Sequence, residues 1–350
     1  MSKPTVIVLV CVKDDAWILP RFLETCSRFA DAIVVIDEST GFDETRSIYK
    51  NYPKVILKCI DGKEIRFDIK RKMALDEARK IPAERRILIG LDADEIISAD
   101  VLVSPEWQTV LEAPPRTLFS MQWVTLWRQT ELHVKPEIRD DYIFGEHGGY
   151  FRHIYVDDGL SPLPETGRCG LHCDYVPFDA DRFVFLNDIV CLHYNYCNWP
   201  KFEAKQRLYR VLEKCESKLL TDWQIQSLYV VNYGIKFELA QSNPRWFTGW
   251  QDLGIDMTSC RLEKFTTADL RVIRCIREHG TQLFANLDIW SMDWNAIIEM
   301  AVKKGMLEPG MSITRPPRTF GYKILSRYMT ASKHSKILKC INKLVGWESY

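Results

Sequence analysis

Residues 5–12 (Thr-Val-Ile-Val-Leu-Val-Cys-Val) are continuously apolar and largely β-branched, the pattern of a strand buried on both faces of a parallel sheet. Asp14 and Asp15 end it. Between Trp17 and Phe29, apolar residues fall at positions 18, 19, 22, 23, 26 and 29. That is a helical period, and Pro20 predicts a late start or a bend. The same reading gives a strand over Ala32–Ile36 closing on Asp37, a turn at Gly41 and Asp43, and a short helix over Thr45–Tyr49. It continues with a strand over Val55–Leu57, a helix over Phe67–Lys80 stopped by Pro82, and a strand over Ile87–Leu91 that runs into Asp92. Further on, Thr117–Trp127 and Phe183–Tyr194 read as strands, and Trp199–Leu219 and Asp222–Ala240 as helices. Strands alternating with helices predict an α/β fold with an open, mostly parallel sheet flanked by helices. The α/β part is expected over residues 1–215, in halves 1–97 and 98–215, with a mainly helical region over 216–350.

Composition narrows the possibilities. Lys plus Arg and Asp plus Glu both number 47, so no global charge favours nucleic acid. No apolar run approaches the ~20 residues that cross a bilayer. The eleven cysteines are dispersed through strand-like and helix-like stretches, as reduced thiols of a cytoplasmic protein would be. What stands out is the placement of acids. Three predicted strands end in them, at Asp14 and Asp15, at Asp37, and at Asp92, Asp94 and Glu95. Open parallel sheets bind ligands beyond the carboxyl ends of their strands.

Asp92 and Asp94 are two apart in an extended chain, so they address one ligand. A hard cation, Mn²⁺ or Mg²⁺, takes such oxygens and bridges to a diphosphate, stabilising the charge that grows on a leaving nucleotide. Arg71 and Lys72 are candidates to offset the remaining phosphate charge. No glycine-rich phosphate loop is present in the sequence. Asp179 and Asp181 repeat the Asp-x-Asp spacing without a preceding strand and read as a solvated turn. A zinc alternative would draw on Cys169, His172, Cys173, Cys191, His193 and Cys197, though their spacing matches no standard knuckle.

With these motifs in hand, residues 5–97 resemble the donor half of glycosyltransferase family 2, which has a glycosyltransferase A-type fold. The matching segments are Val-Lys-Asp-Asp at 12–15, Ile-Val-Val-Ile-Asp-Glu-Ser-Thr-Gly-Phe-Asp-Glu-Thr at 33–45, and Ile-Leu-Ile-Gly-Leu-Asp-Ala-Asp-Glu at 87–95. Asp14 and Asp15 stand where the family has Asn-Glu. The resemblance implies inverting transfer by single displacement from a nucleotide sugar, with Asp15 and Asp37 near the nucleobase and Asp94 as the chief metal ligand.

Sugar-core members of the family, of the lipopolysaccharide-core type, carry a His-Glu pair, then a strand ending His-Tyr, then Lys and Tyr on a helix. Here the later group is His193, Tyr194, Lys205 and Tyr209, which adds His193 to the metal set and Lys205 to the donor contacts. His172 is followed by Cys173 and Asp174, so the base that deprotonates the acceptor is sought among Asp174, Asp188, Glu146 and Glu165. Asp174 is the first choice. The expected acceptor is a glycan or a lipid-linked acceptor. The alternatives are a sugar nucleotidyltransferase and a catalytically degenerate sugar-binding protein. Residues 320–350 carry six Lys or Arg against Glu348 beside an apolar stripe, suggesting peripheral contact with an anionic membrane.

Overall fold

The first apolar run forms β1 (Thr5–Val12), and its burial explains its composition. Val6, Val8 and Val10 pack with Leu19, Phe22, Leu23 and Cys26 of α1 (Leu19–Phe29), whereas Ile7 and Leu9 join a second core with Ala74, Leu75 and Ala78. Both faces are apolar, so alternation is absent. Pro20 sits in the first turn of α1, where its missing N–H costs nothing.

The computed structural model describes residues 3–60, 66–135, 149–164, 174–216, 220–229, 238–260, 262, 265–317 and 337. After α1 come β2 (Ala32–Asp37), α2 (Thr45–Ile48), β3 (Val55–Cys59), α3 (Phe67–Arg79) and β4 (Arg86–Gly90). Then follow β5 (Glu95–Ile97), α4 (Pro105–Glu112), β6 (Thr117–Trp127), β7 (Gln129–Val134), β8 (Tyr150–Asp157) and β9 (Arg182–His193). The chain continues through α5 (Trp199–Glu216), α6 (Asp222–Leu228), β10 (Leu239–Gln241), α7 (Arg245–Asp252), α8 (Thr267–His279) and α9 (Trp294–Lys303).

The sheet runs β3-β2-β1-β4 in parallel, then β8 antiparallel to β4, and β6 antiparallel to β8. Strand β9 runs parallel to β6 and carries β5 antiparallel on its other side. The hairpin partner β7 and then β10 extend the sheet. This is the open α/β sheet the sequence predicts, parallel through the donor half and mixed beyond it.

Two expectations change. Residues 239–241 form a strand paired with β7 and not the end of a helix from Asp222. The division of the chain falls at Asn198/Trp199 and not near residue 215. One compact unit comprises residues 1–198 and 238–261, and the other 199–237 and 262–350. The earlier break has a physical basis in α5, whose Arg207 forms a buried ion pair with Asp269 of α8 at 2.8 Å. Within the first unit, the returning segment buries Trp250, whose indole N–H donates to the Ile97 carbonyl at 2.9 Å. Among the described residues no helix is long and apolar enough to cross a membrane. The tail over 320–350, apart from Ile337, lies outside the described residues, as do Glu146, Glu165, Cys169, His172 and Cys173.

Candidate active site

Strand β4 delivers the acids. Its last residue, Gly90, is glycine for want of space, since a Cβ there would lie 2.2 Å from the Cβ of Tyr175. Beyond it the chain turns through Asp92–Asp94 and re-enters the sheet at β5, where Glu95 lies opposite His193 of β9. The Tyr194 amide donates to the Asp94 carbonyl at 2.8 Å, so the acidic turn is pinned to the end of β9 by the backbone.

Each acid then has its own surroundings. Asp92 accepts from the Tyr175 hydroxyl at 2.8 Å and from Arg71 at 3.3 Å, both at Oδ1. The Arg71 guanidinium lies 4.2 Å above the Tyr175 ring. Glu95 turns inward, accepting from the Asp92 amide and from the Trp123 indole at 2.8 Å each. Burial, followed by the charge of Asp92, pushes the Glu95 carboxyl well above its ordinary range. Asp94 remains partly open, with Oδ2 3.7 Å from His193 Nε2. The His193 ring stacks on Trp123 with centroids 4.2 Å apart.

The chemistry of this donor set fits a divalent cation. Two atoms bound to one ion at about 2.1 Å each lie about 3 to 4 Å apart, the range in which Asp94 Oδ2 and His193 Nε2 stand. A second group, Glu95, His153 and Cys191, also has ligand-capable atoms within 4.8 Å of one another, and all three residues are buried. The His153 Nδ1–H donates to the Phe151 carbonyl at 2.8 Å, and burial pushes its imidazole down to about 4, so it is neutral. Both oxygens of Glu95 already accept hydrogen bonds, and burial pushes the Cys191 thiol far up. We read this trio as the packed floor of the acidic turn.

The ends of β1 and β2 lie side by side, Val12 pairing with Asp37. Asp37 is fully buried and saturated. Its oxygens accept from the Ser39 amide and hydroxyl at 3.0 Å each, from Arg46 at 3.0 Å and from Tyr49 at 2.6 Å. The residue therefore builds the turn at the end of β2. Asp14 adopts φ 49°, one of the few positive values at a non-glycine residue, and accepts from the Thr40 amide at 2.8 Å. Asp15 is half-buried, accepts from the Trp17 indole at 3.3 Å and donates its amide to Thr45 at 2.9 Å. It is the more open acid of this pair of strand ends.

Other candidates sort clearly. Asp174 is partly buried 3.8 Å from Arg152, and desolvation pushes its carboxyl up to about 6 against the pull of Arg152 and Arg71. Asp188 is not brought to the acids: it is held by Ser104 at 3.0 Å and Arg245 at 3.4 Å, five residues before His193 on β9. It sits in the irregular stretch of β9 between Leu186 and Val190, where the pairing moves on only from Met121 to Gln122. Lys72 is exposed and pairs with Asp76 at 2.8 Å. The buried cation of that helix is Lys70, paired with Glu38. Lys205 is exposed on α5, in the second unit. Asp179 and Asp181 are exposed and bind Arg116 at 2.7 and 3.1 Å, as a solvated turn should.

Sequence reasoning missed Tyr175, Lys70 and Trp123. Lys70 had a signal: positions 70, 71, 74, 75 and 78 form the buried stripe of α3, and 72 lies off it. Tyr175 had none, because its partners Cys11 and Asp92 lie 164 and 83 residues away.

No family model and no curated protein sequence matches the chain. Among solved structures, it is similar to Staphylococcus aureus TarS residues 1–349, at 15% identity over 89% of this chain and 94% of that one, with a TM-score of 0.37. It is also similar to 4-diphosphocytidyl-2C-methyl-D-erythritol synthase, at 10% identity over 54% and 91% of the two chains, with a TM-score of 0.33. A mycobacterial protein is similar at 14% identity over 35% and 41%, with a TM-score of 0.26.

Proposed function

We propose that this chain is an inverting glycosyltransferase of the family 2 type, moving a sugar from a nucleotide-sugar donor to a glycan acceptor with the help of Mn²⁺ or Mg²⁺. The observation that carries this reading is the convergence of Asp92, Asp94, His193 and Arg71 beyond the carboxyl ends of β4 and β9. Asp94 and His193 would hold the ion. When bound, it supplies Lewis acidity toward the diphosphate leaving group. Arg71 adds a fixed positive charge on the phosphate side, held in place by Asp92 and by the Tyr175 ring. The acids of β1 and the turn built on Asp37 face the nucleoside, with Asp15 as the accessible carboxylate. Asp174 takes the acceptor proton, and a pKa near 6 suits a base working at neutral pH.

The reading is tested by incubating the full chain with a panel of nucleotide sugars and Mn²⁺ and identifying the products. Release of a nucleoside diphosphate from one donor, abolished by chelator, is the expected result. Release of pyrophosphate from a nucleoside triphosphate and a sugar phosphate would instead establish a nucleotidyltransferase. No turnover with either set of substrates would leave a binding protein with a degenerate site.

A further inference from the structure

Beside the acidic turn, within the first unit, lies a cavity of about 300 Å³ that the proposed chemistry does not use. It is bounded by β6, β7, β10 and the start of α7, through Gln122, Trp123, His133, Gln241, Asn243 and Trp246. Three of its properties bear on what it holds. Among the described residues the lining carries aromatic rings and side-chain amides but no Asp, Glu, Lys or Arg. The ring of His133 is neutral, since burial and Lys135 push it below its ordinary range, and its buried Nδ1 has no hydrogen-bond partner. His133 meets Trp246 edge to face at 5.4 Å.

Each property favours the same ligand chemistry. A neutral His133 ring adds no charge to the wall, and its edge packs on Trp246. Primary amides pair with vicinal hydroxyls by donating and accepting at once. Indole rings offer apolar area to the C–H faces of a ring that is polar at its rim. Among the described lining residues none carries a charge to pair with an anionic ligand, and an acyl chain would leave the amides unpaired. The volume lies at the small end of ligand pockets, enough for one ring and not for an extended chain.

Position supplies the link to the site. Trp123, a wall of the cavity, is the residue that donates to Glu95 and stacks on His193. A ligand in the cavity is therefore one side chain away from the His193–Asp94 pair. We infer that this cavity is an acceptor subsite for a single uncharged pyranose unit, gripped between Trp246 and the amides of Gln122, Gln241 and Asn243. The inference rests on the glycosyl-transfer reading for its role, but the binding of a neutral sugar ring does not depend on it.

The test uses the full chain and neutral methyl glycosides of glucose, galactose, mannose and N-acetylglucosamine, with methyl glucuronide as the charged comparison. Binding is followed by saturation-transfer NMR and by tryptophan emission. At least one neutral glycoside should bind, the glucuronide about tenfold or more weaker, and Trp246→Ala should weaken binding by about tenfold or more. Trp246→Phe keeps an aromatic wall and should retain most of it, and it serves if the alanine variant does not fold. Asp181→Asn, on the solvated turn, should leave glycoside binding unchanged. Equal binding of the glucuronide, no neutral glycoside bound, or indifference to Trp246→Ala in a folded protein overturns the proposal. Donor turnover separates the two readings. Turnover without glycoside binding sinks the subsite alone, whereas glycoside binding without turnover of any donor sinks the transferase and leaves a sugar-binding site.

Discussion

Tyr175→Phe removes one oxygen from the centre of the candidate site, and its cost follows from the two hydrogen bonds that oxygen makes. The hydroxyl donates to Asp92 at 2.8 Å and accepts from the Cys11 amide at 3.1 Å. The second bond exists because β1 outruns β4. Leu9 pairs with Gly90 and accepts from Leu91, after which the chain turns away at Asp92 and leaves the next β1 amide on that side without a strand partner. Tyr175 fills that place. In the Phe variant the amide loses its acceptor in a buried setting, at a cost of about 1–3 kcal/mol. The Asp92 side adds little, because that carboxylate is 48% exposed and water replaces the lost donor. The ring itself stays, so its contact with Arg71 and its packing on Gly90 are kept. Urea unfolding should therefore show a lower midpoint at unchanged slope, equivalent to about 1–3 kcal/mol. Burial and Asp92 hold the phenol well above its ordinary pKa, so it remains the donor and the loss should not vary with pH while the fold survives. A change below about 0.5 kcal/mol would refute the assignment, because an orphaned buried amide costs more than that.

Asp94→Asn should lower Mn²⁺-supported donor turnover by about 10² or more by removing an anionic ligand, while Asp181→Asn, on the solvated turn, changes it less than about twofold. Near-normal turnover in the Asp94 variant would remove the central claim. If Asp174 is the base, only its ionised form acts. With a pKa near 6 in place of the ordinary 3.8, kcat/KM should fall about tenfold per pH unit below 6. Removing the nearby charge by Arg152→Met should move that limb to higher pH, and a profile flat down to pH 4 would exclude Asp174 from the role. Gly90→Ala should destabilise the fold by about 3 kcal/mol or more through its clash with Tyr175, a cost that Tyr175→Ala in the same chain partly relieves. Additive losses in that double variant would show that the two residues do not meet.

The parallel half of the fold was legible because burial on both faces writes itself as an unbroken apolar run, as in residues 5–12. The acidic turn was legible because such a run ends abruptly in Asp92. The rest depends on what meets what across the chain. Asp188 looked as accessible as Asp174 in sequence, but a mid-strand position committed it to Ser104 and Arg245. Asp37 matches the resemblance and ends β2, and Ser39, Arg46 and Tyr49 satisfy its oxygens, partners that only the folded chain brings together. The helical period of α3 separates buried Lys70 from exposed Lys72. Residues 239–241 carried no strand pattern of their own and are a strand only because β7 pairs with them.

That late strand has a consequence for how the molecule is made. The first unit is not one stretch of chain: residues 199–237 intervene before β10 and α7 complete it. During vectorial synthesis, the pocket for Trp250 and the free edge of β7 must wait, uncovered, until the ribosome has released about 60 residues beyond β9. A chain cut near residue 215 would stay in that state permanently, with an apolar cleft beside Ile97, Ala99 and Leu102 and an edge strand open to pairing with another copy. Such a fragment should self-associate more readily than the whole chain, and α5, whose Arg207 pairs with Asp269 of α8, meets that partner only after the last segment of the first unit has emerged.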